Sequence, residues 1–211
     1  MNRTLIYLFD PLCGWCYGAM PTLSTLDDTA DLYVELLPTG LFSGDGAKVM
    51  NEEFAAYAWS NDQRIASLTG QRFTERYREL VLGKPQRFDS GPATLALTAV
   101  SLTEPARELK ALKAIQLARY VDGQDVTQFQ ILAAILSSLG LEHAAEMVGE
   151  PTADLLSATQ TRIHRAQTLM LEMNARGVPT FIASCGPKRW RLDPTNIYTD
   201  PEALINQLKE A

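Results

Sequence analysis

Two cysteines separated by two residues, Cys13 and Cys16, are the residues of this sequence best suited to chemistry. They lie in the stretch DPLCGWCYG, which runs from Asp10 to Gly18 and directly follows an apolar run. Two cysteines at this spacing can close a small disulfide and open it again without moving the fold. The stretch is therefore predicted to be a redox-active turn between a buried strand and a helix.

The roles of the two sulfurs follow from their places on the predicted helix. The first turn of a helix has unpaired N–H groups and about half a positive charge, which stabilise a thiolate. Cys13, at the turn, is therefore predicted to be the attacking sulfur. Cys16 lies one helical turn deeper on the same face, where it can attack a mixed disulfide at Cys13 and release the partner.

Zinc binding is the main alternative for a Cys-x-x-Cys pair, and the rest of the sequence disfavours it. A zinc site of this kind needs two further Cys or His ligands at close spacing. Only Cys185, His143 and His164 remain, and none of them is paired at ligand spacing. A structural disulfide is disfavoured as well, because so short a loop removes little entropy from the unfolded chain. No metal is expected.

Composition is typical of a globular protein from a reducing compartment. The chain has 211 residues, 46% of them apolar, so it can bury an ample core, and three cysteines are too few for a secreted disulfide scaffold. The formal net charge of -6 and the lack of a basic cluster argue against nucleic-acid binding. The apolar run near the N-terminus is too short for a signal peptide or a membrane span. With Met1 as the start, a cytoplasmic protein with no membrane partner is predicted.

The hydrophobic pattern indicates the elements that position the cysteines. Thr4 to Phe9 is strand-like, the pattern from Cys13 to about Ala30 is helical with a kink expected at Pro21, and Leu32 to Leu37 is strand-like again. A strand, a helix and a second strand in succession favour parallel pairing of the two strands. Near the C-terminus, two short runs around Gly186-Pro187 predict an antiparallel hairpin.

A long helical stretch separates these two ends of the chain. From Gly46 to about Gly149, apolar residues recur at helical spacing and no convincing strand is found. We therefore predict two parts: an α/β domain made of residues 1–47 and 151–211, and a helical subdomain, residues 48–150, inserted into it.

The order of these elements and two motifs resembles the thioredoxin superfamily. The motifs are Cys13-Gly14-Trp15-Cys16 at the head of the first helix and Gly177-Val178-Pro179-Thr180 before the late hairpin. The large helical insertion resembles the DsbA-like branch, and the stretch around the cysteines looks most like the FrnE-type bacterial proteins described as predicted protein-disulfide isomerases. The resemblance covers nearly the whole chain. It implies an α/β, thioredoxin-like fold with a large all-helical insertion.

The resemblance also implies supporting residues around the cysteines. It implies a cis peptide bond between Val178 and Pro179 beside Cys13, with the Val178 backbone placed to pair with an extended substrate. Gly14 and Trp15, which separate the two cysteines, are supporting residues of the same site.

The sequence leaves the proton acceptor of this site open. Thioredoxin and DsbA carry a buried acid six residues before the first cysteine, and this chain has Tyr7 there, whose phenol is a poor base at neutral pH. Asp10 is nearer the motif, and it is either a substitute acceptor or a structural residue, as a helix cap or in an Asp-Pro turn. Cys185 is predicted to lie out of reach, because six residues of extended strand separate it from Pro179.

The function implied is thiol–disulfide exchange, as a protein-disulfide reductase or isomerase acting on protein or small-molecule disulfides. The thioredoxin or glutathione system is the expected reductant, and glutathione is a redox partner rather than a resident cofactor. One alternative is a glutathione-dependent transferase or isomerase of the kappa or 2-hydroxychromene-2-carboxylate isomerase type, although those relatives generally have serine at the attacking position. Another is a client-binding chaperone module in which the dithiol is secondary.

Overall fold

The structure is a computed structural model that describes residues 3–27, 29 and 32–209. In chain order, its strands and helices are β1 (Arg3–Phe9), α1 (Gly14–Gly18), α2 (Met20–Asp27), β2 (Leu32–Pro38), β3 (Lys48–Val49), α3 (Glu52–Thr69), α4 (Glu75–Tyr77), β4 (Arg87–Phe88), α5 (Gly91–Thr103), α6 (Glu108–Tyr120), α7 (Phe129–Ser138), α8 (Glu142–Gly149), α9 (Ala153–Glu172), β5 (Thr180–Cys185), β6 (Lys188–Arg191) and α10 (Pro201–Lys209). Within the described ranges, no helix is both long and apolar enough to span a membrane.

The central sheet has four strands in the order β2-β1-β5-β6. Strand β1 pairs parallel with β2 and antiparallel with β5, and β5 and β6 form the predicted hairpin. Alternate residues of β1 belong to different apolar clusters: Leu5 and Phe9 to one, Ile6 and Leu8 to the other. Because successive side chains of a strand point to opposite faces, β1 is buried on both faces of the sheet.

The first helix is broken where Pro21 predicts a kink. Helix α1 ends at Gly18 and α2 begins at Met20, so Pro21 is the second residue of α2. Proline is well tolerated in a first helical turn, where its missing N–H has no intrahelical partner to lose. The C-terminal part of the predicted helix, near Ala30, lies outside the described residues, since α2 is described to Asp27.

The segment 48–150 contains helices α3 to α8 and, in addition, a small second sheet. Strands β3 and β4 pair antiparallel, with Lys48 opposite Phe88 and Val49 opposite Arg87. The sequence pattern predicts no strand here, because two residues are too few to produce an alternating pattern. The ladder holds the start of α3 beside the turn that precedes α5.

Two apolar clusters cover the two faces of the central sheet. The larger one joins the face of β1 that carries Leu5 and Phe9 to the inserted helices, for example through Val100 of α5 and Ile115 of α6. The smaller one packs α9 against the opposite face of the sheet. The inserted helices therefore lie on the same side of the sheet as α1, and they can reach the turn that carries the cysteines.

Candidate active site

Cys13 is the N-cap residue of α1, directly before its first helical residue, Gly14. Its backbone is extended, with φ -82° and ψ 118°, and its carbonyl oxygen accepts a hydrogen bond from the Tyr17 N–H at 3.1 Å. The Cys13 N–H donates to the Asp10 carbonyl oxygen at 3.1 Å, which closes the turn between β1 and α1. Cys13 thus lies at the N-terminus of α1 with Cys16 one turn along the helix, as the spacing predicts.

The two thiols differ in their access to solvent. Cys13 is 7% exposed and lines a cavity of about 220 Å³, whereas Cys16 is fully buried and is not part of the cavity wall. Both thiols are free. Burial raises the pKa of the Cys16 thiol well above its ordinary value, and its hydrogen bond and charge interaction with Cys13 raise it further. Cys16 is therefore protonated at neutral pH when both thiols are reduced.

The segment before β5 brings Val178 and Pro179 next to Cys13. The peptide bond between Val178 and Pro179 is cis. The Cys13 Sγ donates a hydrogen bond to the Val178 carbonyl oxygen, with 3.8 Å between the two atoms. In the antiparallel register, Thr180 at the start of β5 lies opposite Leu8 near the end of β1. The sheet therefore places residues 178 and 179 beside the turn that follows β1.

The cavity at Cys13 has walls from both parts of the chain. The turn contributes residues 12–15, and the inserted segment contributes ten residues, half of them aromatic: Phe54, Tyr57, Tyr77, Phe88 and Tyr120. Trp15 is partly exposed, and its ring packs against Tyr198 with 5.2 Å between ring centroids. The cavity is thus apolar over much of its surface, and Cys13 forms part of its wall.

Asp10 is fully buried, and its side chain holds the turn together. Its Oδ1 accepts from the Leu12 N–H at 2.9 Å, and its Oδ2 accepts from the Phe42 N–H at 3.0 Å and from the Ser90 hydroxyl at 2.7 Å. The bond to the residue two positions along is that of an Asx turn. Burial raises the pKa of the Asp10 carboxyl, while these hydrogen bonds and Arg119 oppose the rise. These hydrogen bonds make Asp10 a structural residue of the turn.

Tyr7 stands where thioredoxin and DsbA carry an acid, and it contacts Cys16. Its ring stacks on Phe9 with 5.3 Å between centroids, and its hydroxyl donates to the Cys16 carbonyl oxygen at 3.2 Å. Burial and, next, the charges of Cys16 and Cys13 raise the pKa of Tyr7 well above its ordinary value. The phenol therefore stays protonated and serves as a hydrogen-bond donor beside Cys16, not as a base.

The third cysteine and the two histidines lie away from this turn. Cys185 ends β5, next to Ser184, which lies opposite Thr4 near the start of β1, whereas Cys13 follows the end of β1. His143 and His164 are exposed on α8 and α9. Among the residues that the structure describes, no three Cys, His, Asp or Glu side chains are grouped so as to hold a metal ion.

Asp62 of α3 reaches the cavity and is not among the residues predicted from the sequence. It is 5% exposed, and its Oδ2 accepts a hydrogen bond from the Tyr77 hydroxyl at 3.0 Å. A Cβ atom placed on Gly14 would lie 2.5 Å from the Asp62 Oδ1. In the sequence, this acid follows Ala58 by four residues and precedes Ile65 by three, so it lies on the apolar face of α3 that is buried in the core. An acid on such a face is unusual, and this is the sign by which the sequence could have identified it.

Solved structures of known proteins share this fold. The cytosolic disulfide reductase DsbM from Pseudomonas aeruginosa is 32% identical, with a TM-score of 0.88, over 99% of this chain and 100% of that one. The structure of DsbM with GSH is 31% identical, with a TM-score of 0.83, over 98% and 97%. DsbA from the same organism is 15% identical, with a TM-score of 0.55, over 99% and 81%, and its likeness concerns the fold alone. No curated protein sequence matches the chain.

The family model described as DSBA-like thioredoxin domain matches residues 4–191, a range that contains both cysteines and the Val178–Pro179 bond. The predicted DsbA-like thioredoxin fold is confirmed by this match and by the solved structures. The predicted enzyme class is confirmed as well: the protein is a thiol–disulfide oxidoreductase. The chain belongs to the DSBA-like thioredoxin domain family.

Proposed function

We propose that the protein is a disulfide reductase in which Cys13 is the attacking sulfur and Cys16 the resolving sulfur. The observation that carries this assignment is the difference in access between the two thiols. Cys13 lines the cavity, whereas Cys16 is fully buried and lies one helical turn further on. A substrate disulfide can therefore meet the sulfur of Cys13 first, and Cys16 can act only on a disulfide already formed at Cys13.

The proposed reaction has two exchange steps. The Cys13 thiolate attacks a substrate disulfide, so that one half of the substrate becomes a mixed disulfide with Cys13 and the other half leaves as a thiol after taking up a proton. The Cys16 thiol then loses its proton and attacks the Cys13 sulfur. This second step forms the Cys13–Cys16 disulfide, and the remaining half of the substrate leaves as a thiol. The substrate gains two electrons, and the enzyme loses two.

Val178 and Pro179 are proposed to hold the substrate chain beside Cys13. The segment 177–179 precedes β5 and lies beside the turn that carries Cys13. The Val178 carbonyl oxygen is 3.8 Å from the Cys13 sulfur. An extended peptide can pair with backbone next to a reactive residue through main-chain hydrogen bonds. The Gly177 carbonyl oxygen already accepts from the Thr180 hydroxyl, so the pairing is proposed for the Val178 backbone. Gly14 and Trp15 are supporting residues of the same site: Gly14 leaves room for Asp62, and Trp15 forms part of the cavity wall.

Glutathione is the proposed electron donor. The relative DsbM is named as a cytosolic disulfide reductase, and its structure has been solved with GSH. Glutathione returns the Cys13–Cys16 disulfide to the dithiol by two successive exchanges, with one glutathione disulfide as product. A cytoplasmic location fits this direction of electron flow, because the glutathione pool there favours reduction. Disulfide isomerisation needs only the first exchange and its reversal at another cysteine, and we include it in the proposal.

Replacing Cys16 with serine is expected to trap the first intermediate. A Cys16→Ser chain treated with glutathione disulfide at pH 7 should accumulate one glutathione on Cys13, because Cys16 is no longer present to resolve the mixed disulfide and Cys185 lies near the other end of the sheet. The adduct is measured by mass spectrometry of the intact protein and located by peptide mapping. A Cys16→Ser Cys185→Ser chain is the matched control and should take up the same single adduct. Equal uptake by a Cys13→Ser Cys185→Ser chain would refute the assignment of roles.

A further inference from the structure

The acid of the inserted helix α3, Asp62, lies against the redox turn. Asp62 lines the same cavity as Cys13, and its Oδ1 is 2.5 Å from the place where a Cβ atom on Gly14 would be. The carboxyl group is therefore packed on the backbone of the residue that follows Cys13. A side chain at position 14 would need the same space, so glycine between the two cysteines is what lets the carboxyl group approach.

One oxygen of Asp62 is free to exchange a proton. Its Oδ2 accepts the hydrogen bond from Tyr77, but within the described part of the chain no group donates to its Oδ1. Asp10 differs, because both of its oxygens accept hydrogen bonds and three donors hold it in the turn. Of these two buried acids, only Asp62 faces the cavity at Cys13.

The surroundings of Asp62 bring the pKa of its carboxyl group close to neutral pH. Tyr77 from α4 and Arg119 and Tyr120 from α6 interact with it, and Cys13 from the turn and Lys48 of β3 line the same cavity. Arg119 is almost fully buried, and its charge acts on both Asp10 and Asp62. Burial raises the pKa of the Asp62 carboxyl to about 7, against the opposing effects of Tyr77 and Arg119. The carboxyl group can therefore both take up and release a proton near neutral pH.

We propose that Asp62 is the proton-exchange group for the first disulfide exchange at Cys13, a role that rests on the proposed function of Cys13. The Asp62 carboxylate takes the proton of the Cys13 thiol, and the resulting thiolate attacks the substrate disulfide. The Asp62 carboxylic acid then gives this proton to the sulfur that leaves in the cavity. The S–S bond of the substrate breaks, a bond between Cys13 and one substrate sulfur forms, and Asp62 returns to its carboxylate form.

The test compares two small disulfides whose leaving sulfurs differ in their need for a proton. Cystine releases an alkyl thiolate that is basic, whereas 4,4′-dithiodipyridine releases a thiolate that leaves without protonation. In a Cys16→Ser Cys185→Ser parent chain, each probe reports only the exchange at Cys13. Asp62→Asn keeps the shape and an oxygen for Tyr77, and it should lower the rate with cystine relative to the rate with 4,4′-dithiodipyridine by at least about tenfold at pH 7.

The control is an acid on the same helix that is exposed and does not line the cavity. Glu53→Gln removes the same charge from α3, and the ratio of the two rates should stay at the parent value. An Asp62→Asn chain with the parent ratio would overturn the proposal for Asp62 and leave that for Cys13 intact. If a Cys13→Ser Cys185→Ser chain, in which Cys16 is the one cysteine left, reacts with either probe at the parent rate, the proposed function of Cys13 itself is wrong.

The parent chain supplies a second measurement that needs no substitution at Asp62. As the pH rises from 6 to 7, Asp62 changes from the acid to the carboxylate that takes the Cys13 proton, so the rate with cystine should rise; above pH 7 it should level off, because the carboxylate form then predominates. A rate that keeps rising about tenfold per pH unit from 6 to 8, as for a thiol that ionises without Asp62, would overturn the proposal even if Asp62→Asn did not fold.

Discussion

A Cys13→Ser chain is expected to lose disulfide reductase activity by at least about 10³-fold at pH 7. The thiolate is the nucleophile in disulfide exchange, and a serine hydroxyl is not ionised at this pH. Cys16 cannot take over, because it is fully buried and because burial raises its pKa so that its thiol remains protonated. The activity is measured as the rate of insulin reduction with glutathione or dithiothreitol as the electron donor.

Cys185→Ser is the matched control for this loss. It makes the same exchange of sulfur for oxygen in the hairpin of β5 and β6, near the end of the sheet opposite Cys13. This chain is expected to reduce insulin at the parent rate. If both serine chains were as active as the parent, the attacking sulfur would have to be another thiol, and the assignment of Cys13 would be wrong.

The redox turn and the strand before it were predictable because their signals are local. The spacing of Cys13 and Cys16 places both sulfurs on one face of a helix, and the apolar run of β1 marks a strand buried on both sides. Pro21 likewise marks the break between α1 and α2. Each of these signals depends on residues within a few positions of each other, so no knowledge of the tertiary structure is needed to interpret it.

The partners that the inserted segment supplies to the turn were not predictable in the same way. Asp62 lies 48 residues after Gly14 in the chain, and helical periodicity shows which face of α3 is buried but not which element covers it. The same limit applies to Arg119, a buried cation that lies over the rings of Tyr77, Phe88 and Tyr120. A buried charge is visible in a sequence only as a polar residue on an apolar stripe.

One arginine fastens α9 to the sheet and to the inserted helices. Arg162 donates hydrogen bonds to the Glu108 carboxylate at 2.5 Å, to the Leu36 carbonyl oxygen at 2.7 Å and to the Thr98 hydroxyl at 3.2 Å. These partners belong to α6, β2 and α5 respectively. The Glu108 side chain is only 6% exposed, so its negative charge depends on Arg162 for neutralisation.

The ionisation of Glu108 makes this contact dependent on pH. Burial raises the pKa of the Glu108 carboxyl to about 7, and Arg162 opposes that rise. When the pKa of an acid is higher in the folded chain than in the unfolded chain, protonation of that acid stabilises the fold. This stabilisation is complete below the unfolded pKa and is lost as the pH rises through the folded pKa. Without Arg162 the folded pKa would rise further, so the loss would be larger and would extend to higher pH.

Arg162→Leu is therefore expected to lower the free energy of unfolding by about 3–5 kcal/mol at pH 8, and by clearly less at pH 5, where Glu108 is protonated. Urea denaturation at both pH values measures the difference.

Arg165→Leu is the control on the same helix. Arg165 pairs with Glu35 but is 49% exposed, so its loss should lower the free energy of unfolding by less than about 1 kcal/mol. Adding Glu108→Leu to Arg162→Leu should restore much of the stability at pH 8, because no buried charge is then left unpaired. An equal loss for Arg162→Leu at both pH values would show that the lost stability does not come from the Glu108 charge.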